Sequence, residues 1–166
     1  MAKVITFSRV FPAYHPRAGE RTYFVEKICN SFLSLGHPIN EIDELCIDHI
    51  GLDEDINDFK NHTIRAGHRF EVGDRFSPRV WSGRPYNSQQ IILSPDIQIT
   101  KIWNIEIDEC GVWSIGKPGE QLYYIDEEQS FEIAKNDGLS EMDLLCWFNK
   151  TPFDGQIICW NPNIEY

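Results

Sequence analysis

A chain of 166 residues, 42% hydrophobic and 13% aromatic, is long enough for one domain with a sizeable core and lies far from the disordered regime. Its formal net charge of -11 argues against a surface that attracts nucleic acid everywhere, though a local basic face is still open to it. No apolar run approaches the ~20 residues of a membrane-spanning helix, and the opening MAKVITFSRV has too short an apolar segment for a signal peptide, so a soluble cytoplasmic protein with no membrane partner is expected.

In chain order, KVITF (3–7) is rich in strand formers, and FPAYHPRAGE follows it as a Pro/Gly connection. From Arg21, apolar residues recur at Phe24, Val25, Ile28, Cys29, Phe32 and Leu33, which is helical spacing, and Gly36 then Pro38 close that helix. Residues 40–59 hold helix fragments on an acidic background, best read as a solvated face and a possible docking region for a protein partner over 40–58. HTIR and RFSPRVW predict short strands around the EVGDR turn, and QQIIL a further one. Residues 97–107, IQITKIWNIEI, alternate through Ile97, Ile99, Ile102 or Trp103, Ile105 and Ile107, which predicts one long strand. VWSI and QLYYI flank a GKPGE turn. FEIAKND with Gly138 predicts a helix and its end, SEMDLLCWFN a second helix with Ser140 and Asp143 in an S-x-x-D capping pattern, and GQIICW a last strand. The expected architecture is α+β: one domain over 1–166, about six or seven strands in a small mixed or closed sheet, and helices inserted near both ends.

Five cysteines (Cys29, Cys46, Cys110, Cys146, Cys159) without a C-x-x-C, and five scattered histidines without an H-x-x-x-H, point to no disulfide framework, no metal and no cofactor. Charge is uneven: +3 over residues 1–27, -8 over 28–59, +4 over 60–85 and -10 over 86–166. The basic run holds Lys60, Arg65, Arg69, Arg75, Arg79 and Arg84 against only Glu71 and Asp74. Its arginines either pair with the abundant carboxylates or form a phosphate-binding surface. Arg79-Val-Trp81 and Arg84-Pro-Tyr86 interleave guanidinium groups with rings, the pairing that grips phosphate and stacks on bases. Lys60, Thr63 and Arg65 form a second set, with Thr63 and Arg65 on one face of an extended segment. A threonine hydroxyl attacks only when a base takes its proton, and a lysine serves as that base only when its surroundings leave it neutral.

VITF near the start, KNHTIR followed by VGD, AKNDGLSEMDL and a terminal GQIICW come in the order seen in ASCH domains, and the chain resembles that family. The resemblance covers much of the chain, leaving residues 12–59 as an insertion. It implies a small PUA-like β-barrel of about six strands whose cleft takes RNA or a modified nucleoside, and Arg65, Arg69, Arg79, Trp81, Arg84 and Tyr86 of the basic run are the contacts expected for such a ligand. One branch, the small bacterial N4-acetylcytidine amidohydrolases, uses a Lys, a Thr and a Glu. Lys60 and Thr63 match the first two by spacing. The third falls on Asp137, which keeps the carboxylate but is one methylene shorter, and Asn-Asp-Gly at a helix end is also ordinary turn chemistry. The resemblance thus supports two expectations: an RNA- or nucleotide-binding module, or an amidohydrolase that deacylates N4-acylated cytidine.

Overall fold

The computed structural model describes residues 2–40, 53 and 55–166; most of the acidic stretch 40–59, with its expected helix fragments and partner region, lies outside them. In chain order the described elements are β1 (Lys3–Phe7), α1 (Phe24–Ser34), β2 (His62–Ala66), β3 (Arg75–Trp81), β4 (Gln90–Ile92), β5 (Ile97–Gln98), β6 (Lys101–Ile107), β7 (Trp113–Gly116), β8 (Tyr123–Tyr124), α2 (Glu127–Asn136), α3 (Glu141–Trp147) and β9 (Phe153–Cys159). The strands fall into two sheets, an α+β architecture. By contacts the chain divides into a first unit, Met1–Lys60 with Arg75–Gln98, and a second, Asn61–Asp74 with Ile99–Tyr166.

In the first unit, β3 is flanked by β1 in parallel and, on its other edge, by β4 and β5 in antiparallel pairing. Pro78 sits mid-strand, where a missing N–H would normally break a ladder. It is tolerated because β4 pairs with residues 79–81 and β5 with 75–76. The Pro78 carbonyl accepts from Leu93 N at 3.0 Å, and a residue's N–H leaves a strand on the same side as its carbonyl. The absent donor therefore points into the gap between β4 and β5. Helix α1 buries Phe24, Val25, Ile28 and Phe32, as the spacing predicted, but leaves Leu33 60% exposed. Its last turn is closed by Gly36 N to the Leu33 carbonyl and His37 N to the Phe32 carbonyl.

In the second unit the sheet order is β2-β9-β6-β7-β8, all antiparallel. One face, carrying Ile64, Trp103, Ile105, Ile115 and Ile157, packs against Ile133 and Ala134 of α2 and Leu144 of α3. Burying each such isoleucine contributes about 1.5–3 kcal/mol. Asp126 and Gln129 form a reciprocal capping box at the start of α2, and Ser140 Oγ accepts from Asp143 N at 3.1 Å at the start of α3, the capping read from S-x-x-D.

The expected single strand over 97–107 is two strands. β5 ends at Gln98 in the first unit, and β6 begins at Lys101 in the second. The alternation runs in phase through both, which is why it reads as continuous. Lys101 occupies the apolar phase and marks the break, its ammonium donating to the Ile164 carbonyl at 2.6 Å and to the Glu165 carboxylate. Ile102 and Trp103 are both buried, because β6 is an interior strand covered on both faces.

β9 lies between β2 and β6 with Gly155 opposite Ala66 and Ile105. A Cβ there would stand 2.2 Å from the Arg65 carbonyl oxygen, a backbone atom that cannot swing aside. One residue on, the buried Gln156 carboxamide accepts from Phe70 N at 3.2 Å and donates to the Phe70 carbonyl at 3.1 Å, holding the chain after β2 as a strand partner would. Gly155→Ala is expected to cost about 3 kcal/mol, read as a lower urea midpoint. An unchanged midpoint would mean that β2 does not approach β9 this closely.

Candidate functional site

β2 delivers side chains to two faces. Its register sets His62 opposite Cys159, Thr63 opposite Ile158, Ile64 opposite Ile157 and Arg65 opposite Gln156. His62 and Ile64 therefore point toward the helix-covered face, and Thr63 and Arg65 toward the other, as expected for that pair. Asp137 is the C-cap residue of α2. The chain reverses there because Gly138, at φ +78°, supplies the left-handed step, with Gly138 N donating to the Lys135 carbonyl and Leu139 N to the Ala134 carbonyl, both at 3.0 Å. The turn chemistry of Asn-Asp-Gly is thus what positions the carboxylate. Asp137 is 5% exposed, and its Oδ1 lies 3.3 Å from His62 Nδ1.

His62 is the residue that the motif reasoning passed over. It is fully buried, and its Nε2 lies 2.7 Å from the Tyr166 hydroxyl. Burial raises the Tyr166 phenol well above its ordinary value; a hydrogen bond from the Asn136 side chain partly opposes this, and the charges of Asp137 and Glu132 add to it. The phenol is neutral and has a proton to give. Asn161 Nδ2 donates to Asn61 Oδ1 and Asn61 Nδ2 to Asn136 Oδ1, both at 3.0 Å. The amides form a directed line, Asn161 to Asn61 to Asn136, and the phenol meets the imidazole. A Tyr166 proton on Nε2 leaves the His62 proton on Nδ1, the nitrogen that faces Asp137. The Arg65 guanidinium stands in the same field. Burial lowers its pKa, the Asp137 charge raises it, and Arg69 lowers it again. A lone histidine two positions from Ile64 on an apolar face reads in sequence as core, and only the fold brings Tyr166 to it.

Thr63 is 4% exposed, and its hydroxyl makes no hydrogen bond among the described residues. Lys60 is the last residue of the first unit. It is 1% exposed, its N–H donates to the Lys27 carbonyl at 3.0 Å, and its ammonium sits 4.1 Å from the centre of the Phe24 ring.

The structure distributes the basic run between the units. Arg65 and Arg69 belong to the second, with Arg69 exposed and 5.9 Å from the Phe70 ring centre. Arg75, Arg79, Trp81, Arg84 and Tyr86 belong to the first, where they share β3 and the hairpin loop to β4. Arg75 donates to the Asp96 carbonyl at 2.7 Å. Arg79 and Trp81 project from one face of β3, and Arg79 donates to Ser77 Oγ at 3.1 Å and to Gln90 Oε1 at 3.0 Å, both neutral acceptors. The loop is pinned by Ser82 N to the Gln89 carbonyl, Gly83 N to Ser88 Oγ and Ser88 Oγ to the Arg84 carbonyl, each at 2.9 Å. Asn87 N donates to the Arg84 carbonyl at 3.1 Å, closing a turn with Pro85 second and Tyr86 third. Tyr86 sits at φ +64° and is 88% exposed, with its ring centre 5.3 Å from that of Trp81. Exposed Arg84 makes no hydrogen bond or ion pair with its guanidinium among the described residues.

Among the described residues no group of three or more His, Cys, Asp or Glu side chains is arranged to hold a metal ion, and no helix is long and apolar enough to cross a membrane. No family model, no curated protein and no solved structure matches the chain.

Alkali should find the second unit's weak point. Burial pushes the Cys159 thiol from its ordinary 9.0 up to about 12, and the Tyr166 phenol moves the same way. The folded form thus keeps protons that the unfolded chain gives up first. Their stabilisation is complete below pH ~9 and is lost as pH rises, at about 1 kcal/mol per pH unit for the thiol between ~9 and ~12. Urea midpoints measured from pH ~8 to ~11 should fall, and fall less steeply in Cys159→Ala. A flat profile would contradict the burial of these two groups.

Proposed function

We propose that the protein is an ASCH-type domain on a PUA-like barrel that binds RNA or a modified nucleotide. The motifs that carry the resemblance fall on defined elements: VITF on β1, HTIR on β2, AKND at the end of α2 and GQIIC on β9. The observation that carries the reading is the β3–β4 hairpin, where Arg79, Trp81, Arg84 and Tyr86 converge in one unit with a free guanidinium beside an exposed ring. Arginine provides forked donors for a phosphate, and an aromatic face provides a platform for a base. Arg65 and Arg69 are the contacts that this reading assigns to the second unit. Arg79→Ala and Arg84→Ala should each weaken binding of a short RNA about 3- to 10-fold by fluorescence anisotropy, an effect that added salt diminishes. Unchanged affinity in both variants for every RNA and nucleotide tested would overturn the reading.

A second reading, hydrolysis of N4-acetylcytidine, is favoured by the Thr63 hydroxyl, which makes no hydrogen bond among the described residues and so keeps its donor and acceptor capacity for a substrate. In it a neutral Lys60 amine takes the hydroxyl proton as Thr63 Oγ attacks the acetyl carbonyl and passes it to the departing cytidine N4, and water then releases acetate from the threonine ester. Asp137 takes the third role that the resemblance implies. Cytidine release followed by chromatography should vanish in Thr63→Ala and in Lys60→Ala. No cytidine from the wild type at high enzyme concentration would remove this substrate.

A further inference from the structure

Tyr86 is set in a way that folding alone does not reward. It fills the third position of a Pro-first turn, where positive φ favours glycine or asparagine and a bulky side chain is strained. A ring 88% exposed returns little burial for that strain, and strain kept by a rigid surround is a pointer to function. The surround is rigid here: four hydrogen bonds tie the loop, and Trp81 backs the ring at 5.3 Å. Residues 75–95 contain Arg75, Arg79 and Arg84 and no acidic residue, so the hairpin is a cationic island in an anionic chain.

Resting on the nucleotide-binding reading above, we propose that the tip of the β3–β4 hairpin is a base-stacking subsite for single-stranded nucleic acid. The exposed face of Tyr86 takes an unpaired base, Trp81 holds the ring in place, and Arg84 grips the neighbouring phosphate. The charge count decides between single strand and duplex. Arg75 is held by the Asp96 carbonyl and Arg79 by Ser77 and Gln90, all neutral acceptors, which leaves Arg84 as the guanidinium at the tip for a phosphate with Arg79 behind it. Duplex binding draws on some 6–10 phosphate contacts, whereas stacking on a single strand needs few. A duplex also keeps its bases out of reach of a protruding ring. Affinity therefore comes chiefly from the ring, and salt dependence is shallow, with a log–log slope of roughly -0.7 to -1.4 for one or two phosphates on a single strand.

The test is an anisotropy titration of the full chain with a fluorescein-labelled single-stranded RNA of about eight nucleotides, with the same strand annealed to its complement, and with mononucleotides as competitors. The single strand should bind at least about tenfold more tightly than the duplex. Tyr86→Gly, which relieves the strained φ, should weaken it about 10- to 100-fold with no fall in the thermal midpoint, while Tyr86→Phe stays within about twofold. Full affinity in Tyr86→Gly, or a duplex bound as tightly as the strand, would overturn the subsite and leave the arginine-based reading standing. A mononucleotide binding as tightly as the oligomer would replace the single strand by a free nucleotide as the ligand. No binding of any RNA or nucleotide by the wild type would overturn both.

Discussion

The second unit depends on how closely two backbones meet. The Arg65 carbonyl lies where a side chain at position 155 would begin, so β2 and β9 reach this distance only through Gly155. Their register then follows, and with it the assignment of side chains to faces, since a slip of one residue would exchange Thr63 and Arg65 with His62 and Ile64. Beside the apolar core lie a directed line of amides, Asn161 to Asn61 to Asn136, and a phenol–imidazole pair, Tyr166 and His62, that faces Asp137. Such a line is costly to bury unless its members are matched, and the Asn161 and Asn61 amides and the Tyr166 phenol each meet a partner. A hydroxyl left without one on the opposite face, that of Thr63, stands out against this background.

The first unit solves a different problem. Its central strand carries a proline, and the ladder accommodates it by dividing one flank between β4 and β5. The same division lets the β3–β4 loop stand as an independent hairpin, braced through Ser82, Gly83 and Ser88 instead of through a core. Rigid bracing at an exposed position is where a protein can hold a strained aromatic residue without losing the fold, because the strain falls on one turn and not on the sheet.

Much of the fold was legible because local chemistry and the tertiary answer agree. β1, α1, α2, α3 and β9 stand where propensity, spacing and capping residues put them, and the S-x-x-D pattern is a real cap. The strand over 97–107 was misread because alternation reports only which face a side chain takes, not which sheet receives it; Lys101 in the apolar phase was the available sign. The basic run shows the complementary failure. Six cations adjacent in sequence are shared between two units, so linear density of charge is no measure of a surface. Arg79, Trp81, Arg84 and Tyr86 were found together because a hairpin keeps sequence neighbours as spatial neighbours. His62 was missed since its meaning comes from Tyr166 and Asp137, and no short-range pattern links those three.

The route of the chain between the units also governs how it can be made. It passes from the first unit to the second after Lys60, returns at Arg75 and leaves again after Gln98. On a ribosome, β1 has nothing to pair with until Phe76 and its neighbours emerge, and β2 waits until the stretch ending at Cys159 is out. Neither unit is a contiguous piece of sequence, so neither can be completed by an early local collapse. Both must assemble through pairings of long sequence separation, which form slowly and leave unpaired strand edges waiting. The short, heavily capped helices α2 and α3 are the segments able to order ahead of those pairings.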